Sequence, residues 1–227
     1  MFKCEHLSPT VSIYLGDCRE IIPTLDKVDA VITDPPYGIE ELVGGYSRFG
    51  VSDRNIANDK DLSCMIEMFD LVAKTQNNLW LVAFYSCRIS PEFFRITSKF
   101  NYFGEIIWDK KITGLGHGLR YQHENIAFFK LGQVEGLLDV ASVLTYFRVV
   151  ERGIHPHEKP SQIMEKLISV IPCNTILDPF MGTGSTGAAA ARLKKGFVGI
   201  ELEQKYFDLA RKKITAAINQ PEAFWEK

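Results

Sequence analysis

Along this chain, short apolar runs alternate with stretches whose hydrophobic residues recur at helical spacing, and that alternation predicts strands and helices in turn. Residues 11–15 (Val-Ser-Ile-Tyr-Leu) are β-rich and end at Gly16-Asp17, after which residues 18–25 read as a short helix interrupted by Pro23. The next strand spans residues 28–33. Residues 79–85 are apolar at nearly every position, as expected of a strand covered on both faces. Residues 103–108, 125–129, 175–178 and 196–201 complete seven strand candidates. Helices are predicted over residues 62–74, with Met65, Ile66, Phe69, Leu71 and Val72 suitably spaced, and over 90–100, with Pro91 at the favoured first position. Three more follow at 161–170, 188–193 and 204–218. Residues 143–150 have β character without an evident partner, and the Phe93-Phe94 and Phe128-Phe129 pairs read as core.

Strands alternating with helices argue for an α/β fold with a mostly parallel sheet, in which ligands bind at the carboxyl ends of the strands. Asp17, Asp34, Asp178 and Glu201 all fall at such ends, so four acids are expected to line one edge.

Composition narrows the classes. With 227 residues, 46% hydrophobic and 24% charged, the chain suffices for one sizeable core, and a single domain over residues 1–227 is expected. The formal net charge of −2 gives no general attraction to nucleic acid, so any such binding depends on local basic clusters. Five scattered cysteines without a C-x-x-C suggest neither a disulfide framework nor zinc. No metal is expected: His155, His157 and Glu158 lack further ligands at useful spacing, and His117 sits among glycines, facing phosphate or water. No apolar run reaches the length of a membrane span and the N-terminus lacks a signal-peptide pattern, so a cytoplasmic location is expected.

Two motifs carry candidate chemistry. In Asp34-Pro-Pro-Tyr37, the prolines fix their own φ angles, favour extended conformations before them and supply no N–H, so a stiff turn presents a carboxylate, a carbonyl and a ring. In Asp178-Pro-Phe-Met-Gly-Thr-Gly-Ser-Thr186, a strand runs into a glycine-rich turn that opens a helix, where backbone can approach a ligand closely. It is neither a Walker loop nor a G-x-G-x-x-G. Glu201 ends the following strand, where a carboxylate typically accepts from ribose hydroxyls, so a nucleoside-bearing cofactor fits. Asp17 reads equally well as a helix N-cap acid.

Together the two motifs resemble those of the DNA amino-methyltransferases, which use S-adenosylmethionine and modify exocyclic amines of bases. The catalytic motif precedes the cofactor motif, as in the circularly permuted β group, and Ile106-Ile-Trp-Asp-Lys-Lys111, His123-Glu124 and His155-Pro-His-Glu-Lys-Pro160 extend the resemblance over nearly the whole chain. It implies a seven-stranded, permuted, Rossmann-like methyltransferase fold. It also implies that Phe180, Gly182, Thr183, Gly184 and Ser185 hold the methionine portion of the cofactor, with Asp178 near its amino group, Glu201 on the ribose and Asp17 at the adenine amino group. Lys159 matches a family lysine near the cofactor pocket.

For Asp34, Pro35, Pro36 and Tyr37 the resemblance implies catalysis. An adenine N6 is a poor nucleophile because its lone pair is delocalised into the ring. The Asp34 carboxylate and the Pro35 carbonyl can each accept one N–H and localise that pair, while Tyr37 stacks on a base flipped from double-stranded DNA. Target recognition is expected from the loops at 39–60, 110–122 and 131–158, with Lys110, Lys111, Arg120 and Tyr121 giving local positive charge and Arg48, Arg148 and Arg152 as base readers. The recognition region is small, which fits a homodimer or a short target. The leading expectation is a site-specific N6-adenine DNA methyltransferase of a restriction-modification type. Its rivals are an N4-cytosine enzyme, which more often has Ser where Asp34 stands, an RNA N6-adenine enzyme, and a non-catalytic nucleic-acid-binding module.

Overall fold

The computed structural model describes residues 2–36, 62–113, 120–136, 138–147 and 159–220. Its centre is the most uniformly apolar segment of the chain, Leu79–Tyr85, every residue of which is buried. Such a strand must be covered on both faces, and it is. We number the strands β1 (Lys3–Ser8), β2 (Val11–Leu15), β3 (Ala30–Thr33), β4 (Leu79–Tyr85), β5 (Asn101–Asp109), β6 (His123–Leu131), β7 (Val143–Thr145), β8 (Thr175–Asp178) and β9 (Gly196–Glu201). The helices are α1 (Cys18–Ile21), α2 (Ser63–Thr75), α3 (Ser90–Ile96), α4 (Ser161–Val170), α5 (Ser185–Arg192) and α6 (Gln204–Asn219). All nine strands form one sheet in the order β1-β2-β9-β8-β3-β4-β6-β5-β7.

Five of the eight neighbouring pairs are parallel, β2·β9, β8·β9, β3·β8, β3·β4 and β5·β7. The antiparallel ones are β1·β2, β4·β6 and β5·β6. The seven expected strands are all present, and two more extend the sheet at its edges, so the expected count of seven becomes nine among the described residues. Strand β1 escaped prediction because Lys-Cys-Glu-His-Leu-Ser carries no apolar face to bury. The helix expected over 90–100 ends at Ile96, and Phe94 of the expected core is 37% exposed.

Two hydrophobic layers sandwich the sheet. One packs Ile32, Val82, Phe84, Trp108 and Phe128 against Ile163, Leu167, Phe207 and Ile214 of α4 and α6. The other packs Val31, Leu81, Tyr85 and Phe129 against Ile21, Met68, Phe69 and Phe93 of α1, α2 and α3. Because β8 and β9 return to lie between β2 and β3, the chain ends of β2, β9, β8 and β3 stand side by side. Connections leaving in opposite directions open a crevice at such a point, where α/β sheets bind ligands.

Candidate active site

The glycine loop is shaped by backbone bonds before any ligand is considered. Met181 N donates to Ile200 O (2.9 Å) and Gly184 N to Met181 O (2.8 Å), closing the turn against β9. Gly184 caps α5 in the left-handed region, at φ 84°, and a Cβ there would lie 2.9 Å from Ala210. Only glycine fits. Gly182 also has a left-handed φ, 52°, but a Cβ there would meet nothing within 4 Å. One glycine therefore serves packing, while the other leaves open space in front of the loop.

Two acids frame that space. Asp178 is 2% exposed; its Oδ1 accepts from Phe180 N (3.1 Å) and its Oδ2 from the Thr186 hydroxyl (2.6 Å). Burial, helped by the nearby charge of Asp34, pushes its pKa up to about 6 against the pull of those hydrogen bonds. Glu201 accepts from Gly182 N (2.9 Å) and Glu203 N (2.8 Å), which ties the loop to the end of β9, and burial pushes its pKa up to about 7. Thr183 is buried, whereas Phe180 and Ser185 are half-buried at the rim.

Asp34 follows β3 on the neighbouring strand. Pro35 is buried and Pro36 half-buried, consistent with a packed, stiff turn. The Asp34 Oδ2 lies 2.5 Å from Lys159 Nζ, across 125 residues of sequence. Lys159 also lies 3.0 Å from Glu124 Oε2, and Glu124 Oε1 accepts from Lys110 Nζ at 3.0 Å. Thus Lys159, expected beside the cofactor, has its ammonium on the Asp34 carboxylate. Burial alone would drive Lys159 toward neutrality, but Asp34 and Glu124 more than offset it and hold the ammonium charged.

Asp17 has the geometry of a helix cap. Its Oδ1 accepts from Arg19 N (2.9 Å), and both oxygens receive the Arg19 guanidinium, with Nη2 at 2.6 Å from Oδ2. The local positive charge expected of residues 110–122 is also reduced. Lys110 is paired with Glu124, Lys111 with Asp109 (2.8 Å), and Arg120 donates to the Thr113 hydroxyl (2.8 Å). Tyr121 lies under the guanidinium of Arg88, 5.4 Å from the ring centroid, a contact the sequence did not suggest. Tyr37, Arg48, His117, Arg148, Arg152, His155, His157 and Glu158 lie outside the described residues. Among the described residues, no group of three or more His, Cys, Asp or Glu side chains could hold a metal ion, and no helix is long and apolar enough to cross a membrane.

Comparison with known proteins agrees with this geometry. A family profile for N6/N4 methyltransferases, described as DNA methylase, matches residues 138–212. YubD of Escherichia coli (strain K12), described as a methylase, is 30% identical over 216 residues, 88% of each chain. The chain belongs to the N6/N4 DNA methylase family. A second relative, the type II methyltransferase M.HinfI of Haemophilus influenzae, is 25% identical over 244 residues, covering 89% of this chain and 68% of that one. Among solved structures, the M1.HpyAVI–SAM complex matches with a TM-score of 0.66 and 27% identity, over 89% of this chain and 99% of that chain. The fold is accordingly that of the S-adenosylmethionine methyltransferases, the activity is DNA amino-methylation, and S-adenosylmethionine is the cofactor this family uses. The residues present fit that cofactor: the open space before Gly182 and the two flanking carboxyls suit a small molecule bearing a cation and hydroxyl groups.

Proposed function

We propose that this chain methylates N6 of adenine in double-stranded DNA, on a base turned out of the duplex and held at the Asp34-Pro35-Pro36-Tyr37 turn. The observation that carries the proposal is the adjacency of β3 and β8, which sets the Asp34 turn beside the glycine loop that follows Asp178. When bound, S-adenosylmethionine supplies an electrophilic methyl group on a sulfonium. Asp178 pairs with the cofactor's ammonium, the backbone from Phe180 to Ser185 wraps the methionine portion, and Glu201 accepts from the ribose hydroxyls. Asp17 has the weakest claim on the cofactor, since Arg19 already engages both of its oxygens.

At the neighbouring strand end, the Asp34 carboxylate and the Pro35 carbonyl each accept one N–H of the target amine. Two acceptors draw the nitrogen toward tetrahedral geometry without removing a proton first, which is electrostatic preorganisation with no covalent enzyme intermediate. Tyr37 stacks on the base and offsets part of an unstacking cost of roughly a few kcal/mol. A carboxylate at position 34, in place of the serine more usual in cytosine enzymes, supports adenine as the target. The segments 39–60, 110–122 and 131–158 are assigned to target recognition, and Arg88 with Tyr121 adds a guanidinium–ring pair to the second of them. The single continuous sheet supports one domain, and the small recognition region supports pairing of two copies on DNA.

The test is incubation with methyl-labelled cofactor and methyl-free double-stranded DNA, with RNA in parallel, followed by digestion to nucleosides. Label in N6-methyl-2′-deoxyadenosine, in the DNA arm alone, is expected. Label in N4-methylcytosine overturns the base assignment, and label in the RNA arm overturns the polymer.

A further inference from the structure

Behind Asp34 lies a chain of four alternating charges drawn from four separate segments. Asp34 follows β3, Lys159 precedes α4, Glu124 is the second residue of β6, and Lys110 follows β5. Their links are 2.5 Å from Asp34 to Lys159, 3.0 Å from Lys159 to Glu124, and 3.0 Å from Glu124 to Lys110. The four charges cancel. All four side chains are mostly buried, Lys159 the most, at 10% exposure. Its ammonium sits 5.0 Å from the centroid of the Phe84 ring, on β4 between β3 and β6, so the aromatic face forms the floor of the ion chain.

We infer that Glu124 is a positioning residue for the Asp34 carboxylate, acting through Lys159. The inference rests on the reading of Asp34 as the acceptor of the target amine's N–H. An ammonium has three donors and no acceptor, so Lys159 orients Asp34 and does not serve as a base. Paired with Asp34 alone, a buried lysine would settle wholly on that carboxylate and compete with the amine for its charge. Glu124 draws the ammonium from the other side. It sets where Lys159 stands and limits how strongly Lys159 neutralises Asp34. Lys110 supplies the second cation, so that the two carboxylates, Asp34 and Glu124, are matched by two ammonium groups and no net charge is left buried.

The experiment uses the full chain, methyl-free amplified genomic DNA and methyl-labelled cofactor, with the variants Glu124→Gln, Glu124→Asp, Lys159→Met, the Glu124→Gln/Lys159→Met double and Asp34→Ala. Initial rates at saturating DNA, cofactor Kd by calorimetry and the thermal midpoint are measured for each. Glu124→Gln is expected to lower kcat at least tenfold with unchanged cofactor KM and Kd, at a thermal midpoint lowered by the lost charge pairing but still well above the assay temperature, and Glu124→Asp to recover part of the loss in kcat. The double variant should be no slower than Lys159→Met alone, because the two residues act in series. Wild-type kcat in Glu124→Gln overturns the inference. So does a loss that multiplies with that of Lys159→Met, or a weakened cofactor Kd, which would move Glu124 into the cofactor site. Should Glu124→Gln fail to fold, Glu124→Asp decides alone: a lowered kcat at unchanged Kd supports the inference, and an unchanged kcat overturns it. Asp34→Ala separates the two levels. Near-normal turnover there removes the reading of Asp34 itself, whereas an inactive Asp34→Ala beside a fully active Glu124→Gln removes only the role of Glu124.

Discussion

Cofactor affinity should fall steeply in mild acid, because the two carboxyls proposed to hold the cofactor are pushed up by burial, to about 6 for Asp178 and about 7 for Glu201. An ammonium gains from Asp178 only when that group is ionised, and an ionised Glu201 accepts hydroxyl protons better than a neutral one. Between pH 7.5 and 5.5, the requirement for an ionised Asp178 weakens the apparent Kd about fourfold, and Glu201 adds up to about 25-fold, together up to about 100-fold. The cofactor's own α-amino group, with an ordinary pKa of about 8, stays mostly charged through that window. Calorimetry at both pH values, in two buffers of different ionisation enthalpy, measures the Kd and the protons released. About one proton per cofactor should leave near pH 6.5. A Kd that changes by less than about threefold, with no buffer-dependent heat, would refute the assignment of both acids. The same shifts act on the fold with a definite sign. A raised carboxyl favours the folded state below its unfolded pKa, and that contribution is lost as pH climbs through the folded value. For Asp178, shifted from 3.8 to about 6, the cofactor-free fold should lose about 2.4 kcal/mol between pH 4 and pH 8.

Replacing Asp34 by Ala removes one of two proposed N–H acceptors and should slow turnover about 100- to 1000-fold with the calorimetric cofactor Kd unchanged; near-normal turnover would remove Asp34 from the chemistry. The two loop glycines should separate binding from stability. Gly184→Ala places a methyl 2.9 Å from Ala210 at a left-handed φ and should cost about 2 kcal/mol or more in denaturant titration. Gly182→Ala, with no neighbour in reach, should cost only about 1 kcal/mol of left-handed strain, yet weaken the cofactor at least about tenfold by filling the space before the loop. Equal effects of the two substitutions on both measurements would show that the space before Gly182 is not the cofactor's. In acid, Glu124 should behave oppositely to Asp178. Burial alone would raise its pKa, but Lys159 and Lys110 prevail and lower it to about 2, so its contribution to stability is full above its ordinary value near 4.5 and lost as pH falls from there toward 2. In an acid titration Glu124→Gln should therefore flatten that part of the stability profile, and an unchanged profile would contradict the lowered pKa.

Much of the frame was legible because burial leaves a periodic trace. An all-apolar run such as Leu79–Tyr85 admits few readings, and the glycine turn after Asp178 is dictated by the glycines themselves. The placing of acids at strand ends likewise needed only the carboxyl-edge rule. What stayed hidden were edges and pairings. Strand β1 is held by hydrogen bonds to β2 and has almost no burial pattern to read. Lys110 and Lys111 look like a basic patch in sequence; Asp109 stands beside them, but nothing local reveals that Glu124 neutralises Lys110. The link from Asp34 to Lys159 spans 125 residues, and Glu124 reaches it only because β6 runs antiparallel to β4 and starts at the edge where β3 and β4 end. A charged residue opening a strand that begins, instead of ending, at that edge is the signal that would have found Glu124.

The central claim, methyl transfer to adenine N6 at the Asp34 turn, is tested most directly by sequencing that reads modified bases in methyl-free DNA exposed to the chain and its cofactor. N6-methyladenine at one short recurring sequence, lost with Asp34→Ala, is the predicted result; N4-methylcytosine, or DNA left unmodified by a chain that binds the cofactor, would contradict it.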